Sequence, residues 1–173
     1  MCRQSPCQVQ KQHFSTKWLR NKSLPIIPIN FNQQTVQALI DTGSMVPLIA
    51  EDVCPDFEES TMFTQNELEA YSCNGSKLDI PGIITGDLLL HQHDAPIRAQ
   101  FYILKQSTQE CILPHTWLDK LKAVLDYNTN TLTYQMPTDP SILTATGELE
   151  QIPITKEEQP TTEVLSLKTK NPI

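Results

Sequence analysis

The chain has 173 residues, of which 39% are hydrophobic, so it can build one modest core and has little room for a second complete domain. Thirteen basic against twenty acidic residues leave a net charge of −7, and no Lys/Arg stripe interleaved with aromatics occurs, so a nucleic-acid partner is not expected. The opening "MCRQSPCQVQKQHF" lacks the apolar run of a signal peptide, and no stretch approaches the ~18 apolar residues of a membrane helix; the expectation is an intracellular, cytoplasmic chain with no membrane partner.

Residues 1–23 are a polar N-terminal extension without a clear period, and order is expected to begin near Leu24. Cys2, Cys7 and His13 lack the fourth ligand of a tetrahedral zinc site, and the five cysteines, with Cys54, Cys73 and Cys111, are odd in number and scattered. They read as reduced thiols, and no metal or other cofactor is implied. "LPIIPINF" and "TVQALI", separated by "NQQ", predict a hairpin whose second strand runs straight into Asp41. Pro25 and Pro28 confine the first strand to an edge or an irregular end.

Next, "EDVCPDFEESTMFTQNELEA" predicts a short helical turn and an acidic surface loop. "YSCNGSKLDI" contains Asn-Gly, the signature of a type I′ hairpin, whose two central residues both take positive φ. "GIITGDLLLHQHDAPIRAQFYIL" alternates well enough for two strands around a polar turn, where His91 and His93 lack partners at metal-ligand spacing. "CILPHTWLDKLKAVLDY" starts as a strand and then changes period. Trp117, Leu118, Leu121, Val124 and Leu125 fall on one helical face, with Lys120 and Lys122 turned outward. "DYNTNTLTY" predicts a last hairpin, and residues 137–173, rich in Thr, Pro, Glu and Lys, read as a disordered tail or linker.

Asp41 is the one acid in "VQALIDTGSMVPLIA" and has two readings. Asp-Thr-Gly is a competent turn, because Asp and Thr cap backbone N–H groups and Gly supplies an unusual φ. A carboxylate held by such a loop beside a second carboxylate is also the apparatus of acid–base peptide hydrolysis.

The order of elements favours the second reading. A hairpin into "ALIDTGS", then "AYSCNGSKLDIPG", a two-strand stretch ending "FYIL", then "CILPHTWLDKLKAVLDY" and "TLTY" resembles the retropepsin-like aspartic proteases of LTR retrotransposons and retroviruses over residues 24–136. The resemblance implies an all-β fold: a closed acid-protease barrel with one short C-terminal-side helix. It makes Asp41 the catalytic aspartate and Thr42, Gly43 and Ser44 its loop. Thr42 would brace two such loops across a dimer axis, Gly43 would let the backbone approach the carboxylate, and Ser44 would hydrogen-bond its outer oxygen. Tyr71, Ser72, Cys73, Asn74, Gly75 and Ser76, within the stretch running on to Leu78, would form a substrate-covering flap.

Since the chain carries a single Asp-Thr-Gly, the resemblance further implies a C2 homodimer as partner arrangement, a polypeptide substrate cut between apolar residues, and a role in processing a retroelement polyprotein, in the cytoplasm or within a particle. A catalytically silent dimerisation or binding module is the alternative. The protease-like domain of ubiquitin-shuttle proteins is a third, less supported because no ubiquitin-like segment is visible. The chain departs from the family pattern at Ile112-Leu113-Pro114, where the third residue is usually glycine, and an active-site loop beside proline must find another hydrogen-bond donor, for which His115 and Thr116 are the candidates.

Overall fold

Alternation of apolar and polar side chains makes the first two apolar runs a hairpin. Strand β1 (His13–Lys17) comes before it; β2 (Ile26–Phe31) buries Ile27, Ile29 and Phe31, and β3 (Gln34–Asp41) buries Val36, Ala38 and Ile40. Phe31 pairs with Gln34, which leaves Asn32 and Gln33 as the turn, with φ of 49° and 68°. Two consecutive positive φ values make this a type I′ turn, built without glycine. The Asn32 carboxamide steadies it by accepting the Asp87 N–H at 2.8 Å.

The computed structural model describes residues 13–17, 24–54, 69–92, 94–138 and 141–151, and these are mostly β-strand with one α-helix. After β3 come β4 (Leu48–Ala50), a 3-10 turn (Glu51–Val53), β5 (Gly82–Leu89), β6 (Ile97–Leu104), β7 (Cys111–Pro114), α1 (His115–Lys120), β8 (Val124–Asp126) and β9 (Thr131–Gln135). Strands β6, β4, β7, β3, β2 and β5 lie in that order, and β5 pairs back onto β6, which closes a six-strand barrel. The expected all-β closed barrel with one short helix is therefore present. Pro28 lies in β2 opposite Gln37 of β3, while β5 pairs with β2 only at Asn30 and Phe31, so the proline occupies the open end of that edge as its missing N–H requires.

Inside the barrel, Phe31 meets Phe101 edge-on with centroids 5.0 Å apart, and Phe101 meets Trp117 edge-on at 4.9 Å. A second, smaller apolar group outside it joins Leu48, Tyr102, Leu104 and Ala145. Asp94 is buried at the β5–β6 turn, where it accepts the Tyr134 hydroxyl at 2.6 Å and the His91 N–H at 2.9 Å. Burial, with help from that carboxylate, pushes the Tyr134 pKa upward and keeps it a donor. His93 and residues 55–68, where an acidic loop was expected, lie outside the described residues, as do Cys2 and Cys7. Cys54, Cys73 and Cys111 are free thiols; burial raises Cys54 to about 11 and Cys111 well above its ordinary value, which leaves both protonated at neutral pH.

Two expectations fail here. The helical face predicted through Leu125 stops at Lys120. Lys122 takes φ 50°, its N–H donates to Asp119 O at 3.0 Å, and the Ala123 N–H donates to Leu118 O at 2.8 Å. This pair of bonds is a Schellman motif with lysine at the left-handed position, and beyond it Val124 and Leu125 enter β8. Of the predicted face, Trp117, Leu118 and Leu121 are buried while Val124 is exposed and Leu125 half-buried, so the apolar period runs past the last helical turn and does not mark the stop. Lys122→Gly is expected to raise stability by about 0.5–1 kcal/mol, because the left-handed penalty disappears while only an exposed pair with Asp119 at 3.8 Å is lost. Thermal unfolding checks this, and an unchanged or lower midpoint would contradict it.

The sheets also run past both ends of the 24–136 span. β1 pairs antiparallel with β9 along its whole length, with the Thr16 side chain buried. Beyond Met136, β10 (Ser141–Leu143) adds in parallel to β6 and β11 (Leu149–Gln151) adds antiparallel to β10. Each of these short strands needs a free edge for its backbone, and that edge exists in three dimensions rather than in local composition.

Candidate active site

The two-residue period of β3 sends Val36, Ala38 and Ile40 into the barrel, so Asp41 falls on the opposite face at the strand's end and stays half-exposed. The chain then turns. The Gly43 N–H donates to Asp41 Oδ1 at 2.9 Å, and the Ser44 N–H donates to Asp41 O at 3.1 Å. A Cβ added at Gly43 would stand 3.2 Å from that same Oδ1, close enough to press on the carboxylate. Thr42 and Gly43 are exposed, and Thr42 lines a groove of about 440 Å³ shared with His115, Asp119 and Lys122. Ser44 differs from its expected role: its hydroxyl donates to Val46 O at 2.9 Å rather than to the carboxylate, and so shapes the exit of the loop.

Pro114 stands beside Asp41. β3 and β7 run parallel, pairing Ile40 with Leu113 and Asp41 with Pro114, and the proline ends the strand and becomes the N-cap of α1. It has no N–H to give the loop. Both expected substitutes act instead: the His115 N–H donates to Ser44 O at 2.9 Å, and the Thr116 hydroxyl donates to Met45 O at 3.1 Å. The first turn of α1 thus holds the returning limb of the Asp41 loop by two bonds.

The predicted flap is a hairpin, closed by a Tyr71–Lys77 bridge and by the Ser72 N–H donating to Ser76 O at 2.9 Å. Its turn is not type I′. The Gly75 N–H donates to Ser72 O at 2.9 Å and Gly75 alone has positive φ, 82°, while Asn74 stays out of that region. A turn followed by a left-handed glycine makes a three-residue loop with a bulge, and the Asn74 side chain is spent accepting the Ser76 N–H at 2.9 Å and the Ser72 hydroxyl. Lys77 bonds Glu69 at 2.9 Å and holds that carboxyl below its usual range, first by the hydrogen bond and then by charge; both groups are exposed, so the pair contributes little to stability. Tyr71 and Cys73 are exposed on this hairpin.

The structure brings the two predicted site segments together through their bases. Leu78 and Ile80, below the flap, pack with Val46, just past Ser44, against the apolar group of Leu48, Tyr102, Leu104 and Ala145. Ala145 was not foreseen, since the 137–173 stretch reads as tail. The discoverable signal was "SILTATGELEQ", a Thr-Gly turn between short alternating runs.

A family model described as the PEG10/RTL1 protease domain matches residues 37–141, which span β3 through the start of β10. The chain belongs to this family. As a PEG10/RTL1-type protease domain it has a retropepsin-like fold, and solved structures agree on that fold. A retropepsin-like aspartic protease from Rickettsia conorii is similar at 14% identity and a TM-score of 0.52, covering 79% of this chain and 100% of that one. The retroviral protease-like domain of Ddi1 from Leishmania major is similar at 15% identity and a TM-score of 0.51, covering 68% of this chain and 97% of that one. No curated protein matches the chain.

Proposed function

We propose that this PEG10/RTL1-type domain is an aspartic endopeptidase that works as a homodimer and cleaves polypeptide between apolar residues. Its natural role would be the processing of a polyprotein of retroelement descent. The observation that carries this reading is Asp41 itself: a half-exposed carboxylate at the end of a barrel strand, with Oδ1 held by the Gly43 N–H. Two such groups brought side by side cannot both ionise, as in the aspartic proteases that typify this behaviour. One shared proton lets the pair act as base toward water and as acid toward the leaving nitrogen. One chain supplies one Asp-Thr-Gly, so a second chain must supply the other. Thr42, exposed next to Asp41, would meet its counterpart across the axis, and the Tyr71–Ser76 hairpin would close over the substrate and exclude water.

Pro114 beside Asp41 favours the alternative of a silent dimerisation module, because it removes a backbone donor at the site. The two bonds from His115 and Thr116 restore the bracing, and the catalytic reading is retained. The test is cleavage of a long peptide with apolar residues flanking the scissile bond, with and without a pepstatin-like inhibitor, over a dilution series. Turnover per subunit is expected to fall steeply once the chain is diluted below its dimer dissociation constant, in step with the monomer fraction seen by sedimentation. Full activity from a strictly monomeric species would exclude the homodimer, and absence of any cleavage by the dimer would favour the silent module.

A further inference from the structure

We infer that the hairpin Ser141–Gln151 is a positioning strap for the Asp41 loop and acts through Thr116; this rests on the proposed function for its catalytic consequence, but not for its structural one. Most of the strap lies beyond the residues that the family model matches. Its turn has the same construction as the flap's. The Thr144 N–H donates to Glu148 O at 2.8 Å, the Gly147 N–H donates to Thr144 O at 3.0 Å, and Gly147 has φ 91°.

The strap is anchored firmly. Leu143 and Ala145 are buried, β10 pairs with β6, and the buried indole N–H of Trp117 donates to Thr144 O at 2.9 Å. At the exposed end, Lys120 meets Glu148 at 2.9 Å. These ties press the turn against α1 so closely that a Cβ on Gly147 would lie 2.6 Å from Thr116 Oγ1 and 2.7 Å from its Cβ. Thr116 is therefore held from one side by Gly147, while on the other its hydroxyl holds Met45 O. Ala145 also shares its apolar group with Val46 and with Leu78 and Ile80 below the flap. A turn that shifts away from α1 frees the Thr116 rotamer, and the Met45 carbonyl loses its side-chain donor.

A strap that only completes the core would lower stability when altered and leave the site alone. The test uses the full chain with Thr116→Val, which keeps the shape and removes the donor, Thr116→Ser, which keeps the donor, and Gly147→Asn, which takes positive φ at less cost than most side chains and fills the space. At saturating subunit concentration, and at a temperature where every variant is folded, Thr116→Val and Gly147→Asn are each expected to lower kcat about tenfold, the scale of one lost hydrogen bond, with KM little changed. Thr116→Ser is expected to recover turnover relative to Thr116→Val, and the double variant to be no worse than either single one, since both break one link.

Amide hydrogen exchange across residues 42–46 supplies a readout independent of activity, and Gly147→Asn is expected to quicken it. If the unaltered chain cleaves nothing, faster exchange there still upholds the strap while the proposed function fails. Should Gly147→Asn not fold, Thr116→Val carries the same test, because it leaves the packing with Gly147 in place. Unchanged kcat in a folded variant, or exchange quickened only within residues 141–151, overturns the inference.

Discussion

Asp41→Asn is expected to abolish peptide cleavage and leave the fold standing. The side chain is half-exposed at the end of β3, and its one described partner is a donor, the Gly43 N–H, which the carboxamide oxygen of Asn can also satisfy. Packing and the loop's internal bond are therefore kept. What disappears is the ionisable group, and with it the shared proton of the proposed dyad; general acid–base catalysis is worth about 10²–10⁴-fold in rate, so residual turnover should fall by at least that much. Peptide turnover measured beside thermal unfolding makes the comparison. Undiminished cleavage by a folded Asn variant would remove Asp41 from the chemistry.

Trp117→Ala is the substitution expected to cost the most stability. The indole is essentially inaccessible, at 1% exposure, and packs edge-on against Phe101 in the barrel. Truncating a buried Trp to Ala costs about 3–5 kcal/mol in transfer free energy and cavity formation. It also strips Thr144 O of its indole donor at the root of the strap, which adds about 1 kcal/mol. Against a typical domain stability of about 5–15 kcal/mol, that loss brings a domain in the lower part of the range to the edge of unfolding near room temperature. Chemical denaturation gives the number, and a loss under about 1 kcal/mol would show that the indole does not clamp barrel, helix and strap together. Trp117→Phe, which keeps most of the apolar volume and drops the donor, should fall between.

The Asp41 end of the site was readable because its elements are local. Strand alternation, a single acid at the strand end and the Thr-Gly that follows lie within a few residues of one another, and their backbone bonds close within the same loop. The Tyr71–Lys77 hairpin was readable for the same reason. Its turn type was not, because Asn-Gly permits type I′ without requiring it, and the bonds from Gly75 to Ser72 and from Ser72 to Ser76 select the bulged form. The type I′ turn occurs at Asn32-Gln33, where the Asp87 backbone from another strand supports two non-glycine residues at positive φ.

By itself, then, the sequence determined the β-rich class, the strand-into-Asp41 arrangement, the hairpins and the presence of one late helix after a strand. Tertiary structure decided where the helix stopped, that Ser44 bonds Val46 rather than the carboxylate, and that residues on both sides of 24–136 join the sheets. The physical reason is that each of the three has several local solutions of similar energy. Lys122 and the Ser44 hydroxyl settle on bonds within their own loops, Ala123 N–H to Leu118 O and Ser44 to Val46 O, which composition does not single out, while β1 and β10 pair with the open edges of β9 and β6, partners distant in sequence that meet them only in the folded chain.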